Sequence, residues 1–194
     1  MFKTVGLLLL IVSTTFVVMN CVNTKVPSTL NEESYLELGK SISASTQAVL
    51  GKNLMAAMGK GGPENALEFC NAKAIPLTDS MAVVLKTTIK RVSDQARNPN
   101  NKANRFEASI IAKQKQALLD GQNPMPEVHE VKSKMIAYYP IVTNAMCMTC
   151  HGKIGETVPQ KTYDKISKYY PKDQAMGYDT NQIRGLWVVE MNKE

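Results

Sequence analysis

Apolar residues recur at helical spacing from Ser34 to Met58, at Leu38, Ile42, Val49, Leu54 and Met58, interrupted only by Gly39 and Gly51. That spacing predicts a long N-terminal helix. Gly59-Lys60-Gly61-Gly62-Pro63 stops it and starts another, since Pro63 suits a first helical turn and Glu64 complements its dipole. The second helix is predicted over Pro63 to Lys73. Val83 to Ser93 is rich in β-branched residues and partly alternates, which predicts a strand. Arg97-Asn98-Pro99-Asn100-Asn101 has the chemistry of a turn. From Ala103 to Leu119 the positions of Phe106, Ile110, Ile111, Ala117 and Leu118 return to a helix, ended by Asp120-Gly121-Gln122-Asn123-Pro124. Val128 to Tyr138 reads as a second strand, Gly152 to Pro159 as a loop, Tyr163 to Tyr169 as a short helix and Gly185 to Met191 as a final strand. No internal repeat or low-complexity segment interrupts this mixed α+β pattern.

The first residues follow a different logic. Met1-Phe2-Lys3 precedes an uncharged, largely apolar run from Thr4 to Met19, then Asn20-Cys21. One basic residue and an apolar stretch too short to cross a bilayer comfortably predict a secretory signal. Val18-Met19-Asn20-Cys21 resembles a bacterial lipobox, in which Cys21 becomes the lipidated first residue; Asn20 stands where a smaller residue is usual. An uncleaved anchor is the alternative. The expected organisation is a lipoprotein-type signal over residues 1–20, a polar tether over 21–31 and one domain over 32–194. The protein is expected on the periplasmic side of a bacterial membrane, held there by lipid.

Charge changes the picture little. The chain of 194 residues has 23 basic and 17 acidic side chains, a net charge of +6. The excess is spread along it, with no Lys/Arg block interleaved with aromatics, so nucleic acid is not expected as a partner.

The chemistry concentrates at Cys147-Met148-Thr149-Cys150-His151. A Cys-x-x-Cys-His run in an exported protein is the spacing of covalent haem attachment. Two thiols one helical turn apart add across the porphyrin vinyl groups, and the histidine is placed to ligate iron. Thiol-disulfide exchange uses Cys-x-x-Cys too, but no βαβ pattern precedes this one. A structural disulfide or another metal is the remaining alternative, although zinc ribbons need a second Cys/His pair that the chain lacks at short spacing. Of the four cysteines, Cys21 is assigned to lipid and Cys147 and Cys150 to haem, leaving Cys70. Ala66 and Ala74 flank it one turn away on the same helical face, leaving room for a flat macrocycle. Cys70 is a candidate sixth ligand, and a buried core thiol is the alternative. Met55, Met58, Met81, Met125, Met135, Met146, Met148, Met176 and His129 compete for that role. Met148 lies inside the attachment run, and His129 reads as a surface position of a polar strand.

Gly62-Pro63-Glu64-x-Ala66 leading into Cys70, Arg91-Val92-Ser93 with Arg97-Asn98-Pro99, Pro140-Ile141 leading into Cys147-x-x-Cys150-His151-Gly152, and Tyr170-Pro171-x-Asp173-x-Ala175-x-Gly177-Tyr178 with Arg184-Gly185 occur in this order. Together they resemble the PAS-like c-type haem domain family, long catalogued as a domain of unknown function and found both as stand-alone exported proteins and as input domains of sensor kinases. The likeness spans Ser34 to Met191. It implies an antiparallel sheet flanked by helices with one covalent haem c, His151 on one side of the iron and Cys70 as second axial ligand. Asn181-Gln182 departs from it, standing where a glycine and an acidic residue are expected. Arg91, Arg97 and Arg184 are candidates to pair with the haem propionates, since a fork of donors fits a carboxylate; solvent-facing charge is the alternative for each.

The resulting expectation is a membrane-tethered monohaem protein, not an enzyme, that senses redox state or a small diatomic ligand and passes the signal to an unidentified redox or signalling partner. A periplasmic electron-transfer cytochrome is the alternative. A haem enzyme such as a peroxidase is the weakest reading, because only two histidines are present and one is committed.

Overall fold

The computed structural model describes residues 31–194. The expected signal, tether and lipidated Cys21 therefore lie outside the described residues, apart from Asn31. That residue caps the first helix, its side chain accepting the Ser34 N–H at 2.8 Å. The helix, α1 (Glu32–Val84), is two helices joined at a kink. Gly61 is extended at φ −174° and Gly62 sits at φ 66°, a left-handed backbone that only glycine adopts freely. The glycine run therefore breaks the helix where the sequence predicts. The second segment does not end at Lys73: it continues to Val84 through Pro76. Proline at that point removes a helical hydrogen bond, a cost of about 3 kcal/mol. Tertiary burial of Ala74 and Thr78 on either side outweighs it.

Four strands follow: β1 (Thr88–Val92), β2 (Glu127–Val131), β3 (Lys134–Val142) and β4 (Ile183–Asn192). They form one antiparallel sheet in the order β1-β4-β3-β2. Two sequence expectations change here. Val83 and Val84 belong to the helix, not to a strand, and are 79 % and 69 % exposed. The single strand expected from Val128 to Tyr138 is a hairpin, turning at Lys132 and Ser133 between the paired Val131 and Lys134.

Alternation along β4 divides the core. Trp187, Val189 and Met191 face both halves of α1, meeting Tyr35, Ile42, Leu50 and Ala74 in one cluster. Leu186 and Val188 face the other way, onto Ile110 and Ile111 of α2 (Arg105–Leu119). The two short helices, α3 (Ala145–His151) and α4 (Gln160–Tyr169), lie between β3 and β4 in the chain. α4 anchors the second half of α1 through Leu67, Val158 and Ile166. Among the described residues no helix is long and apolar enough to cross a membrane.

Candidate functional site

The Cys-x-x-Cys-His run folds as α3. Asn144 caps it by accepting the backbone N–H groups of Met146 and Cys147 at 3.0 and 3.3 Å. Its apolar side is fixed from below: Met148 is buried against Ala175 and Tyr178. The sulfur of Met148 is thus part of the packing beneath α3. The C-terminal end is fixed by Gly152, where an added Cβ would collide with the Thr157 hydroxyl and lie 2.7 Å from the Met148 carbonyl. Gly177 and Tyr178 donate backbone hydrogen bonds to the carbonyls of Gly152 and His151, both at 2.9 Å. The segment 173–178 therefore runs alongside the end of the helix.

His151 is oriented by that segment. Its Nδ1 lies 2.8 Å from the Ala175 carbonyl oxygen, an acceptor only, so the proton resides on Nδ1 and Nε2 keeps its lone pair. Burial holds the imidazole well below the ordinary histidine range, and Arg97 and Arg184 add to the effect. A neutral imidazole with a free Nε2 is the form that binds a metal.

Around it stand the other candidate residues. Cys70 lies on the second segment of α1; burial pushes its thiol up, and the positive charges of Arg91 and Arg97 oppose the shift. Burial also raises Cys150, to about 11, with Arg97 pulling down and the Cys70 thiol acting on it as well. Tyr170 is raised to about 12, first by burial and then by Cys70. The fold thus gathers Cys70, Cys150, His151, Arg91 and Arg97 into one electrostatic neighbourhood from four separate parts of the chain. The three described cysteines form no disulfide.

The arginines divide by their partners. Arg97 Nη2 donates to the Cys150 carbonyl at 2.6 Å and lies 3.1 Å from Asp173 Oδ2. Arg184 Nη1 donates to Ser93 Oγ at 2.7 Å and to the Gln95 carbonyl at 3.1 Å, with its guanidinium over the Tyr178 ring. Arg91 lies over the Trp187 ring, 5.3 Å from its centroid. Burial lowers Arg91, partly offset by Cys70 and Tyr170. Among the described residues at the site, Arg97 Nε, Arg184 Nε, the Tyr178 hydroxyl and Asp173 Oδ2 are buried without a hydrogen-bond partner, the last being met only by the charge of Arg97. Buried donors left over beside two thiols and a free imidazole nitrogen are what an acidic, metal-containing cofactor would satisfy, so the residues present fit a haem with its propionates.

The other candidate ligands are placed elsewhere or engaged. Met55, Met125 and Met146 are exposed, and Met135 is packed in the core facing α1. The Met176 sulfur accepts from Arg97 Nη2 at 3.1 Å. His129 is on β2, edge-on to Phe106 and Tyr138 and 3.7 Å from Glu127. Asn181 has φ 60°, so the residue that stands in place of a glycine adopts the backbone that glycine favours and asparagine tolerates. Sequence reasoning gave no role to Asp173 or Ala175. Their only signal was the Tyr170-to-Tyr178 run, whose contribution is a backbone carbonyl and a buried counter-charge.

A family model described as Tll0287-like matches residues 13–192. The crystal structure of the cyanobacterial haem protein Tll0287 is similar to this chain at 22 % identity, covering 84 % of this chain and 97 % of that one with a TM-score of 0.53. At that identity the likeness speaks for the fold: a four-stranded antiparallel sheet with helices and a long N-terminal helix. No curated protein matches the chain.

Proposed function

The chain belongs to the Tll0287-like family, and from that premise and the geometry around α3 we propose that it is a haem protein of the c type. Cys147 and Cys150 would hold one haem through thioethers, and His151 Nε2 and the Cys70 thiol are the groups that would bind its iron. Arg91 and the free Nε groups of Arg97 and Arg184 are the propionate partners. The observation that carries this reading is the His151 Nδ1 contact to the Ala175 carbonyl, which leaves Nε2 available one residue beyond the paired thiols. When bound, the group would supply a one-electron couple, and a thiolate donor beside an imidazole donor would favour its oxidised state.

The role proposed for it is sensing. The thiol of Cys70 is half-buried, and desolvation disfavours its ionised form while the charges of Arg91 and Arg97 favour it. The α1 segment that carries Cys70 begins at the Gly61-Gly62 kink, so a change in what Sγ binds would be passed to that segment. Redox state or a small diatomic ligand is thereby turned into a movement of that segment, read by a redox or signalling partner. The protein is tethered to the periplasmic side of a membrane through Cys21.

Expression with the haem-attachment machinery, followed by a pyridine haemochrome spectrum and intact mass, tests the central claim. One thioether-linked haem per chain is expected, and a haem-free exported chain refutes it. A Cys70→Ser protein whose ferric absorption and electron spin resonance spectra match wild type removes the thiolate. Carbon monoxide binding to the reduced protein supports sensing; its absence favours an electron carrier.

A further inference from the structure

Arg97 is directed into the backbone that holds His151. Its side chain is 10 % exposed, and that of its partner Asp173 is 7 % exposed. Nη2 donates to the Cys150 carbonyl at 2.6 Å and to the Ala175 carbonyl at 3.3 Å. The Ala175 oxygen is the one that faces His151 Nδ1 at 2.8 Å. Asp173 completes the arrangement, with Oδ2 3.1 Å from Arg97 Nη2 and Oδ1 accepting the Ala175 N–H at 2.8 Å. One carbonyl oxygen is therefore shared between the imidazole and a guanidinium, and the acid that balances the guanidinium also fixes the residue bearing that carbonyl.

Resting on the haem reading above, we propose that Arg97 and Asp173 are a positioning pair that sets the donor strength of His151 and, through it, the reduction potential of the iron. An acceptor at Nδ1–H makes an imidazole a stronger donor to metal, because it draws the ring toward imidazolate. A guanidinium pulling on the same oxygen weakens that acceptor. Its charge, in a site shielded from water, also disfavours the more positive ferric state. Arg97 thus drives the potential up on both counts. Asp173 opposes it, by neutralising the guanidinium and by adding a negative charge nearby. Arg184 also lies near His151, but its Nη1 contacts go to Ser93 and Gln95. The shared carbonyl is specific to Arg97.

The test is spectroelectrochemistry on full-length, haem-loaded protein carrying Arg97→Gln or Asp173→Asn, with haem content checked first. Arg97→Gln is expected to lower the midpoint potential so that the oxidised-to-reduced ratio at fixed ambient potential rises roughly tenfold, about 59 mV for one electron. Asp173→Asn is expected to move it the opposite way. Loss of a propionate contact would also lower the potential of the arginine variant, so the iron–histidine stretch of the reduced protein is recorded in a Cys70→Ala background. It rises in Arg97→Gln if His151 has become the stronger donor. Unchanged potentials, shifts of the same sign or an unmoved stretch overturn the proposal. Should Arg97→Gln fail to fold, the nearly isosteric Asp173→Asn decides alone, and no rise in its potential is a refutation. Wild-type protein without haem would instead refute the haem reading.

Discussion

The Thr162 hydroxyl on α4 donates to Glu64 Oε1 at the head of the second α1 segment, across 2.9 Å, and Thr162 is fully buried. Lys165 pairs with Glu68 one turn further along α1. With Leu67 packed on Val158 and Ile166, these contacts fix the segment bearing Cys70 to the rest of the domain.

The seam carries a pH signature. The Thr162 hydrogen bond holds the Glu64 carboxyl below its ordinary value of 4.5, with Lys161 acting in the same direction. A carboxyl whose pKa is lower in the folded chain adds stability that is complete above 4.5 and lost as pH falls through the window beneath it. Thr162→Val keeps the volume and removes the donor. It is expected to lower the melting temperature near neutral pH by about 2–4 °C, as befits a bond worth about 1 kcal/mol. The difference from wild type should shrink as the pH is taken below that range. Thermal melts followed by circular dichroism across the acid limb check it, and a difference that stays constant would show that the hydroxyl acts independently of Glu64 ionisation.

Two glycines of α1 separate packing from propensity. A Cβ on Gly39 would lie 2.5 Å from the Tyr139 hydroxyl oxygen and 3.2 Å from its ring, and that hydroxyl donates to the Leu36 carbonyl at 2.6 Å. A Cβ on Gly51 would meet no atom of the described residues within 4 Å beyond its chain neighbours and its own helix backbone. Gly39→Ala is expected to cost about 2 kcal/mol, from overpacking and a displaced hydrogen bond. Gly51→Ala is expected to gain about 0.5–1 kcal/mol as an ordinary helix interior. Denaturant unfolding of both proteins gives the two signs directly.

That contrast illustrates what was legible in the chain. Periodicity and the Gly59-to-Pro63 run marked α1 and its kink, because both are local signals. The extension of the second segment to Val84 was not legible. Its propensity argues against helix at Pro76, Val83 and Val84, and burial of Ala74 and Thr78 overrides it from outside the segment. The β2–β3 hairpin was missed for the opposite reason, since Lys132-Ser133 has no glycine or asparagine to announce a turn. At the site, Cys147, Cys150 and His151 were conspicuous through their spacing. The carbonyl of Ala175 was invisible, because any residue would supply one.

The missed turn is itself testable. Lys132 has φ 56°, a conformation that costs a side-chain-bearing residue about 1 kcal/mol relative to glycine, and it is exposed. Lys132→Gly is expected to raise stability by up to about 0.5 kcal/mol after the entropy of the freer unfolded chain is deducted. Chemical denaturation provides the measurement; a loss of stability would mean that the lysine makes a compensating contact.

Gly152 offers the sharpest probe of how α3 is seated. An added Cβ meets the Thr157 hydroxyl, which can be removed by mutation, and the Met148 carbonyl at 2.7 Å, which cannot. The Thr157 hydroxyl also accepts the Lys153 N–H at 3.0 Å, so displacing it loosens the turn after His151. Gly152→Ala is expected to destabilise the protein by about 2–3 kcal/mol. Adding Thr157→Ala should recover only part of the loss, because the backbone clash remains. Since the Gly152 and His151 carbonyls hold the segment 173–178 through Gly177 and Tyr178, the same substitution should disturb the Ala175 oxygen that faces His151. Stability and haem content of the single and double variants can be measured side by side. Full recovery in the double variant would show that Thr157, not the helix backbone, is what Gly152 accommodates.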